Sequence, residues 1–476
     1  MFHVEQIVFA LTAAAALVAA ADVSPAPPAE QGKNDLSHST LQLALATNSE
    51  QAQQSMQAGM LDLLLGWEES ARLHFNRAVE ADDMCSLGYI GQLLTEPNAE
   101  LRAQSLAALT ERINKLPATP VETFYLATFL KLLSNDKMGA AEDFCKRAEL
   151  YRHDTLSACW GALLLHCADV GYDTDGKIRP LQERALQMTE QLYATHQQDA
   201  LVCFVRAYVE ESAPTISPRA LEAAKRASEL LPQHPLPAHL LGHLLYRSGK
   251  AAEAVPHFMT AARLATRPDI PEWESSSLMA ARLYVSTAMW SAGMDAKARA
   301  TRKALTAMPI DRNHLHAPAV ILQRWEARTL PLRVLIKSPK PAREGLIIAA
   351  AHAAVVSPAL PGDDPVLLVR DCLRAALYAR VRASKKQNEQ AIKSLKLAEE
   401  ALLKFEKTRE DVLARGVHYI TPWMRAMEAC EIALATAKAE VYTATADVWL
   451  ENARQSVRPV TLMLPPVIPE KQTKKK

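Results

Sequence analysis

The chain has 476 residues, of which 49% are hydrophobic and 6% aromatic, and it contains 15 glycines. Its 54 lysines and arginines balance 53 aspartates and glutamates, for a formal net charge of +1. The hydrophobic fraction excludes a mostly disordered chain, and the few aromatic residues and glycines argue against a many-stranded barrel or sandwich. The balanced charge gives no reason to expect a nucleic-acid partner.

The amino terminus has the pattern of an export signal. A short apolar run ends in "VAAAD" at residues 18–22, and a proline-rich stretch follows it. The pattern predicts a signal peptide over residues 1–21, a flexible linker over 22–45, and a periplasmic or secreted protein. Because the run is too short to span a bilayer, we expect no membrane association after cleavage. A cytoplasmic scaffold is the alternative, and seven cysteines without regular spacing suit it.

Residues 46–310 contain an internal repeat. Steps of seven, five, four and three residues recur in two copies: Gly59, Gly66, Ala71, Phe75 and Ala78, and then Gly242, Gly249, Ala254, Phe258 and Ala261. Glycine and alanine let the two helices of a hairpin approach closely, and the phenylalanine fills the next gap. This spacing resembles the tetratricopeptide repeat (TPR), and the resemblance implies an all-α solenoid of helix–turn–helix hairpins.

A second likeness lies at the exit of the first repeat. The stretch "AVEADDMCSLGYIGQLL" has Asp82, Cys85, Tyr89 and Gly91 at the places of a signature found in a group of bacterial TPR proteins. That resemblance implies the fold and no defined chemistry. Weaker copies of the repeat extend the TPR resemblance over most of residues 50–310.

The repeat pattern breaks after residue 310. Prolines are frequent in residues 311–364 and predict an irregular connector that interrupts the solenoid. Residues 365–458 again have apolar residues at helical spacing, and they predict carboxyl-terminal TPR-like hairpins. The last stretch, residues 459–476, ends in "KQTKKK" and is predicted to be a disordered, solvated basic tail.

Two histidines, His239 and His243, lie one helical turn apart, as zinc ligands can. Leu240 stands where a zinc protease has its glutamate, so the sequence predicts no catalytic residue there. The register implied by the TPR resemblance places His239, His243, Tyr246 and Arg247 on the concave groove, where they could hold a peptide carboxylate or backbone carbonyls. Two alternatives stay open: satisfied neighbours within the solenoid wall, or a metal-binding or enzymatic protein that uses the histidine pair.

The same register assigns mainly apolar residues to the rest of the groove. These are Gln53, Met56, Met60, Leu63, Thr123, Leu126, Leu130, Leu133, Val202, Val205, Val209, Leu283, Thr287 and Trp290. Such stripes are typical of a core, so we expect the chain itself or another subunit to cover this face. The sequence therefore predicts an exported scaffold that binds a protein or peptide, is not an enzyme and uses no metal or cofactor, and it leaves a homo-oligomer open.

Overall fold

A computed structural model gives the fold. It describes residues 43 and 45–445 apart from 98, 169–176, 212, 309–310, 312–313, 315–316, 337–339, 356–364 and 410–419. In this part of the chain every regular element is helical and no β-strand occurs, which confirms the predicted all-α class. The helices follow one another as successive hairpins in a solenoid-like array. The predicted signal peptide and basic tail, and nearly all of the linker, lie outside the described residues.

The chain divides into two compact units, the first ending at Ala298 and the second beginning at Arg299. The helices of the first unit are α1 (Glu50–Leu65), α2 (Glu68–Ala81), α3 (Ser86–Leu94), α4 (Ala99–Ile113), α5 (Pro120–Leu133), α6 (Lys137–Leu150), α7 (Thr155–Ala168), α8 (Pro180–Thr195), α9 (Ala200–Val209), α10 (Pro218–Leu230), α11 (Pro235–Arg247), α12 (Ala251–Ala265) and α13 (Ser276–Ser291). Helix α14 (Asp295–Ala307) crosses the boundary between the units.

The helices begin and end where the sequence provides caps. Thr119 accepts a hydrogen bond from the backbone of Glu122, and the Glu122 side chain accepts one from the backbone of Thr119, which forms a capping box before α5. The turns inside hairpins need a left-handed residue. Gly66, Gly249 and Gly293 supply it, with φ of 88°, 78° and 74°. The first two are turn positions of the repeat.

The phenylalanine of the repeat fills the space that glycines leave. The Phe75 ring is fully buried against α1 and α3. A Cβ atom at Gly59 would lie 2.7 Å from this ring, and one at Gly91 would lie 2.4 Å from it. Larger residues at either glycine would therefore force the helices apart.

In several hairpins the first helix is buried more completely than the second. Every residue of α9 is buried, whereas α10 buries one face that consists of alanines and Leu230. A helix that is apolar all round lies inside a protein, and an amphipathic helix lies at its surface. Helix α9 therefore lies inside the first unit and α10 at its surface, whereas α5 and α6 bury similar shares of their residues.

The first hairpin also packs against a part of the chain that is distant in sequence. Asp62 at the end of α1 lies 3.2 Å from His234 Nε2, and Trp67 meets the His234 ring edge-on. From α2, Arg72 forms a 2.8 Å ion pair with Glu274. These contacts, which we call the hairpin-1 junction, join residues 62–77 to residues 234–277 and close the array on itself.

Two adjacent carboxyl groups at the start of α2 are buried, and one of them, Glu69, lies in the hairpin-1 junction. Glu69 accepts hydrogen bonds from the Ser277 backbone at 3.1 Å and from the Ser276 hydroxyl at 3.2 Å. Glu68 is 6% exposed, and its buried Oε1 has no hydrogen-bond partner in the described structure. Burial, reinforced by the charge of Glu69, raises the pKa of Glu68 from 4.5 to about 8 even though Arg72 and Arg102 oppose the shift.

The second unit contains helices where the sequence predicts an irregular connector. They are α15 (Pro318–Leu322), which continues into a π-helical turn (Gln323–Ala327), α16 (Leu330–Ile336) and α17 (Glu344–Val355). The difference arises because Pro318 and Pro331 lie in the first turn of a helix, where proline disrupts no hydrogen bond. Proline content alone therefore overstates how irregular this segment is.

Three long helices complete the second unit, namely α18 (Pro365–Ser384), α19 (Asn388–Lys407) and α20 (Ile420–Thr445). Arg380 is 2% exposed, donates to the Ile336 carbonyl at 2.7 Å and lies 2.8 Å from Glu440 through Nε. The Phe405 ring packs between Trp325 and Trp423. Among the helices described in either unit, none is both long and apolar enough to span a membrane.

Candidate functional site

Helix α11 carries the four groove residues predicted from the sequence. It begins at Pro235, and the side chain of His234 caps it by accepting a hydrogen bond from the Leu236 backbone at 3.2 Å. It ends before Gly249. The four residues are spaced three or four positions apart along the helix: His239, His243, and then Tyr246 and Arg247. They therefore lie on one face of the helix.

His243 is held between two polar side chains of neighbouring hairpins. Its Nδ1 lies 2.7 Å from Glu211 Oε1, and its Nε2 lies 3.0 Å from the Tyr284 hydroxyl. Nδ1 donates to the carboxylate, and either Nε2 or the tyrosine hydroxyl can donate in the second hydrogen bond. The result is a carboxylate–imidazole–hydroxyl chain that links the end of α9, α11 and α13.

Glu211 is the negative member of this chain. Burial raises its pKa, but the charge of His243 and its hydrogen bond, together with the charges of Arg247 and His166, outweigh burial and hold the pKa at about 2. Glu211 is therefore ionised at neutral pH. Its side chain is 15% exposed and that of His243 is 12% exposed, so this hydrogen-bonded pair reaches the surface.

The other three predicted residues also have partners inside the array. Tyr246 is 5% exposed and lies 3.1 Å from the Ser291 hydroxyl, and Arg247 Nη2 donates to the Ala213 carbonyl at 2.8 Å. The His239 ring meets Phe258 and Tyr284 edge-on, at centroid distances of 5.3 and 5.6 Å. We call these residues and their partners the His243 cluster: Glu211, His239, His243, Tyr246, Arg247, Tyr284 and Ser291.

The structure thus brings all four predicted residues together and adds partners that the sequence did not indicate. Glu211 follows α9 in the turn before α10, and Tyr284 lies in the middle of α13. The only sequence signal for Glu211 is that it is a carboxylate shortly after the apolar stretch that forms α9. Nothing in the spacing of Tyr284 indicates that it faces a histidine 41 residues earlier.

The repeat positions predicted to be structural are all present in the hairpins of α1–α2 and α11–α12. Ala71, Ala78 and Ala254 are fully buried, and Phe258 packs against Gly242 with 3.1 Å between its ring and a Cβ built on that glycine. Ala261 is 1% exposed.

The apolar groove positions are mostly covered by the chain itself. Met56, Met60, Leu63, Leu126, Val202, Val205, Val209 and Leu283 are buried, Gln53, Leu130, Leu133, Thr287 and Trp290 are partly buried, and Thr123 is exposed. An open groove lined by these residues is therefore not available to a partner. Unlike most of these residues, the partly exposed residues of the His243 cluster are polar.

Metal ligation was the alternative role of the histidine pair. Both ring nitrogens of His243 already have hydrogen-bond partners. Within the ranges that the structure covers, no group of three or more histidine, cysteine, aspartate or glutamate side chains is arranged to hold a metal ion.

Comparison of the sequence with protein-family models and with curated proteins gave no match to either.

Proposed function

We propose that this chain is a scaffold that binds another protein or a peptide segment, and that the His243 cluster is its contact surface. The observation that supports this most is the hydrogen-bonded chain of Glu211, His243 and Tyr284, whose side chains are partly exposed. Because its side chains are already ordered by three successive hairpins, binding would immobilise few additional rotamers.

The charges of the cluster favour a particular kind of partner. Ionised Glu211 accepts hydrogen bonds, while the partly exposed Arg247 carries a positive charge beside it. A carboxylate beside a guanidinium complements a segment that offers both N–H groups and carbonyl or carboxylate oxygens. An extended peptide backbone has both. Proteins of the TPR family, which the sequence resembles, bind peptide segments.

The test is a titration with a partner that has first been captured from the native host and identified. Replacing His239 and Arg247 together by alanine should leave the helical content intact, because alanine favours a helix and both side chains are partly exposed, although the His239 ring contacts Phe258. Affinity should fall by about 1.5–3 kcal/mol, which is more than tenfold, since a charged hydrogen bond would be lost.

Arg263→Ala is the matched control, since Arg263 is an exposed arginine on α12 of the same hairpin. It should bind like the wild type. If the double variant and the wild type bind with equal affinity, the cluster is purely structural and the proposed contact surface is wrong.

A further inference from the structure

The second unit holds two cysteines against each other in its core. Cys372 lies on α18 and Cys430 on α20, and both are fully buried. The Cys372 thiol lies 4.0 Å from the Cys430 carbonyl, and the Cys430 thiol lies 3.9 Å from the Val369 carbonyl. Each sulfur therefore reaches across to the backbone of the other helix.

The Cys372 side chain also acts on the Cys430 thiol. A hydrogen bond from Cys372 and burial together raise the pKa of the Cys430 thiol well above its ordinary value. By contrast, Cys145 contacts the Met188 sulfur and Cys203 reaches the Gln197 carbonyl, so their hydrogen bonds go to other groups. Cys372 and Cys430 are thus held as a pair by two packed helices, across a separation of 58 residues in the chain.

We propose that Cys372 and Cys430 are a disulfide site, oxidised by a dithiol oxidase or a low-molecular-weight disulfide in an oxidising compartment. One cysteine thiolate attacks the disulfide of the oxidant, forms a mixed disulfide and expels a thiolate. The second cysteine thiolate attacks the protein sulfur of that mixed disulfide and expels the other thiolate. Two protons leave the cysteines and two are taken up by the released thiolates, so the protein loses two electrons and the oxidant gains them.

Burial determines when this exchange takes place. A fully buried thiol of raised pKa is neither exposed nor ionised, and the thiolate is the reacting form. Thiol–disulfide exchange therefore takes place during folding, or when α20 separates from α18. Once the helices have packed, the bond is protected from reduction by the same burial. The site is independent of the proposed scaffold function, because no residue of the His243 cluster takes part.

The test uses the full chain, unfolded in urea and refolded in a buffer of reduced and oxidised glutathione. Free thiols are then alkylated under denaturing conditions, and the digest is analysed by mass spectrometry. We expect a peptide pair that joins Cys372 to Cys430 in the wild type and in Cys203→Ala. In Cys372→Ala we expect Cys430 to be alkylated. Where refolding fails, protein produced in an oxidising compartment is analysed in the same way.

A second measurement separates this bond from incidental oxidation. The disulfide restricts the unfolded chain, so the thermal midpoint of the second unit should rise by about 5–10 °C on oxidation of the wild type. The rise should vanish in Cys372→Ala. Alkylation of both cysteines in the refolded wild type, or pairing of Cys430 with another cysteine, would overturn the proposal.

Discussion

Replacing Glu68 by glutamine should remove a pH dependence from the stability of the first unit. The folded protein holds a proton on Glu68 up to its pKa of about 8, whereas the unfolded chain releases it near 4.5. Because the raised pKa means that the folded state binds more protons over this range, the Glu68 contribution to stability is complete below pH 4.5. It falls as the pH rises and is lost above about 8.

The magnitude follows from the two pKa values. Each pH unit between 4.5 and about 8 costs at most about 1.4 kcal/mol, which gives an upper limit of about 5 kcal/mol over the whole range. Between pH 6 and pH 8.5 the wild type should therefore lose roughly 2–3 kcal/mol relative to Glu68→Gln, which has no proton to release there.

The assay is urea unfolding at pH 6 and pH 8.5, followed by hydrogen exchange of peptides from α1 and α2, so that the first unit is measured apart from the second. Glu80→Gln is the matched control, because Glu80 is an exposed glutamate on the same helix. Its pH dependence should equal that of the wild type. If Glu68→Gln keeps the wild-type dependence, burial of a protonated carboxyl at the start of α2 is refuted.

Three further predictions concern packing, charge and processing. Ala254→Leu places a large side chain at a fully buried position of the repeat and should cost about 1–3 kcal/mol of unfolding free energy. An unchanged melting curve would mean that the predicted repeat register is wrong. Arg380→Ala leaves the buried Ile336 carbonyl and the partly exposed Glu440 carboxylate without this partner, and denaturant unfolding of the second unit should show a loss of about 1–3 kcal/mol. A loss no larger than that of Arg374→Ala, an exposed arginine on α18, would contradict this. We propose that the protein is exported, so mass spectrometry of protein from its host should find an amino terminus near Asp22. An intact Met1 in the soluble cytoplasmic fraction would argue for the cytoplasmic alternative.

The features that could be predicted from the sequence are local ones. Gly66 and Gly249 end the first helix of their hairpins because a left-handed residue is needed within the turn, and Phe75 and Phe258 fill gaps a fixed number of residues later. These constraints act within a single hairpin. They recur with the same spacing, so one copy supports the interpretation of the other.

The features that could not be predicted depend on residues distant in sequence. His239, His243, Tyr246 and Arg247 were placed on one helix face by their spacing, but Glu211 and Tyr284 come from neighbouring hairpins and follow no spacing rule. The hairpin-1 junction is the extreme case, because Asp62 and His234 are 172 residues apart. An open solenoid has contacts only between neighbouring repeats, and the repeat pattern alone predicts no such closure.

The hairpin-1 junction also affects how the chain can fold during synthesis. The first hairpin emerges long before His234 exists, and at about 5–20 residues per second it waits roughly ten to thirty seconds for that partner. During this delay Glu69 lacks the hydrogen bonds from Ser276 and Ser277 and faces water, where a carboxyl group is ionised at neutral pH. Burial raises the pKa of Glu69 once the junction has formed, so docking favours the uptake of a proton from the solvent. We therefore expect the rate of this docking step to depend on the pH of the compartment in which it occurs.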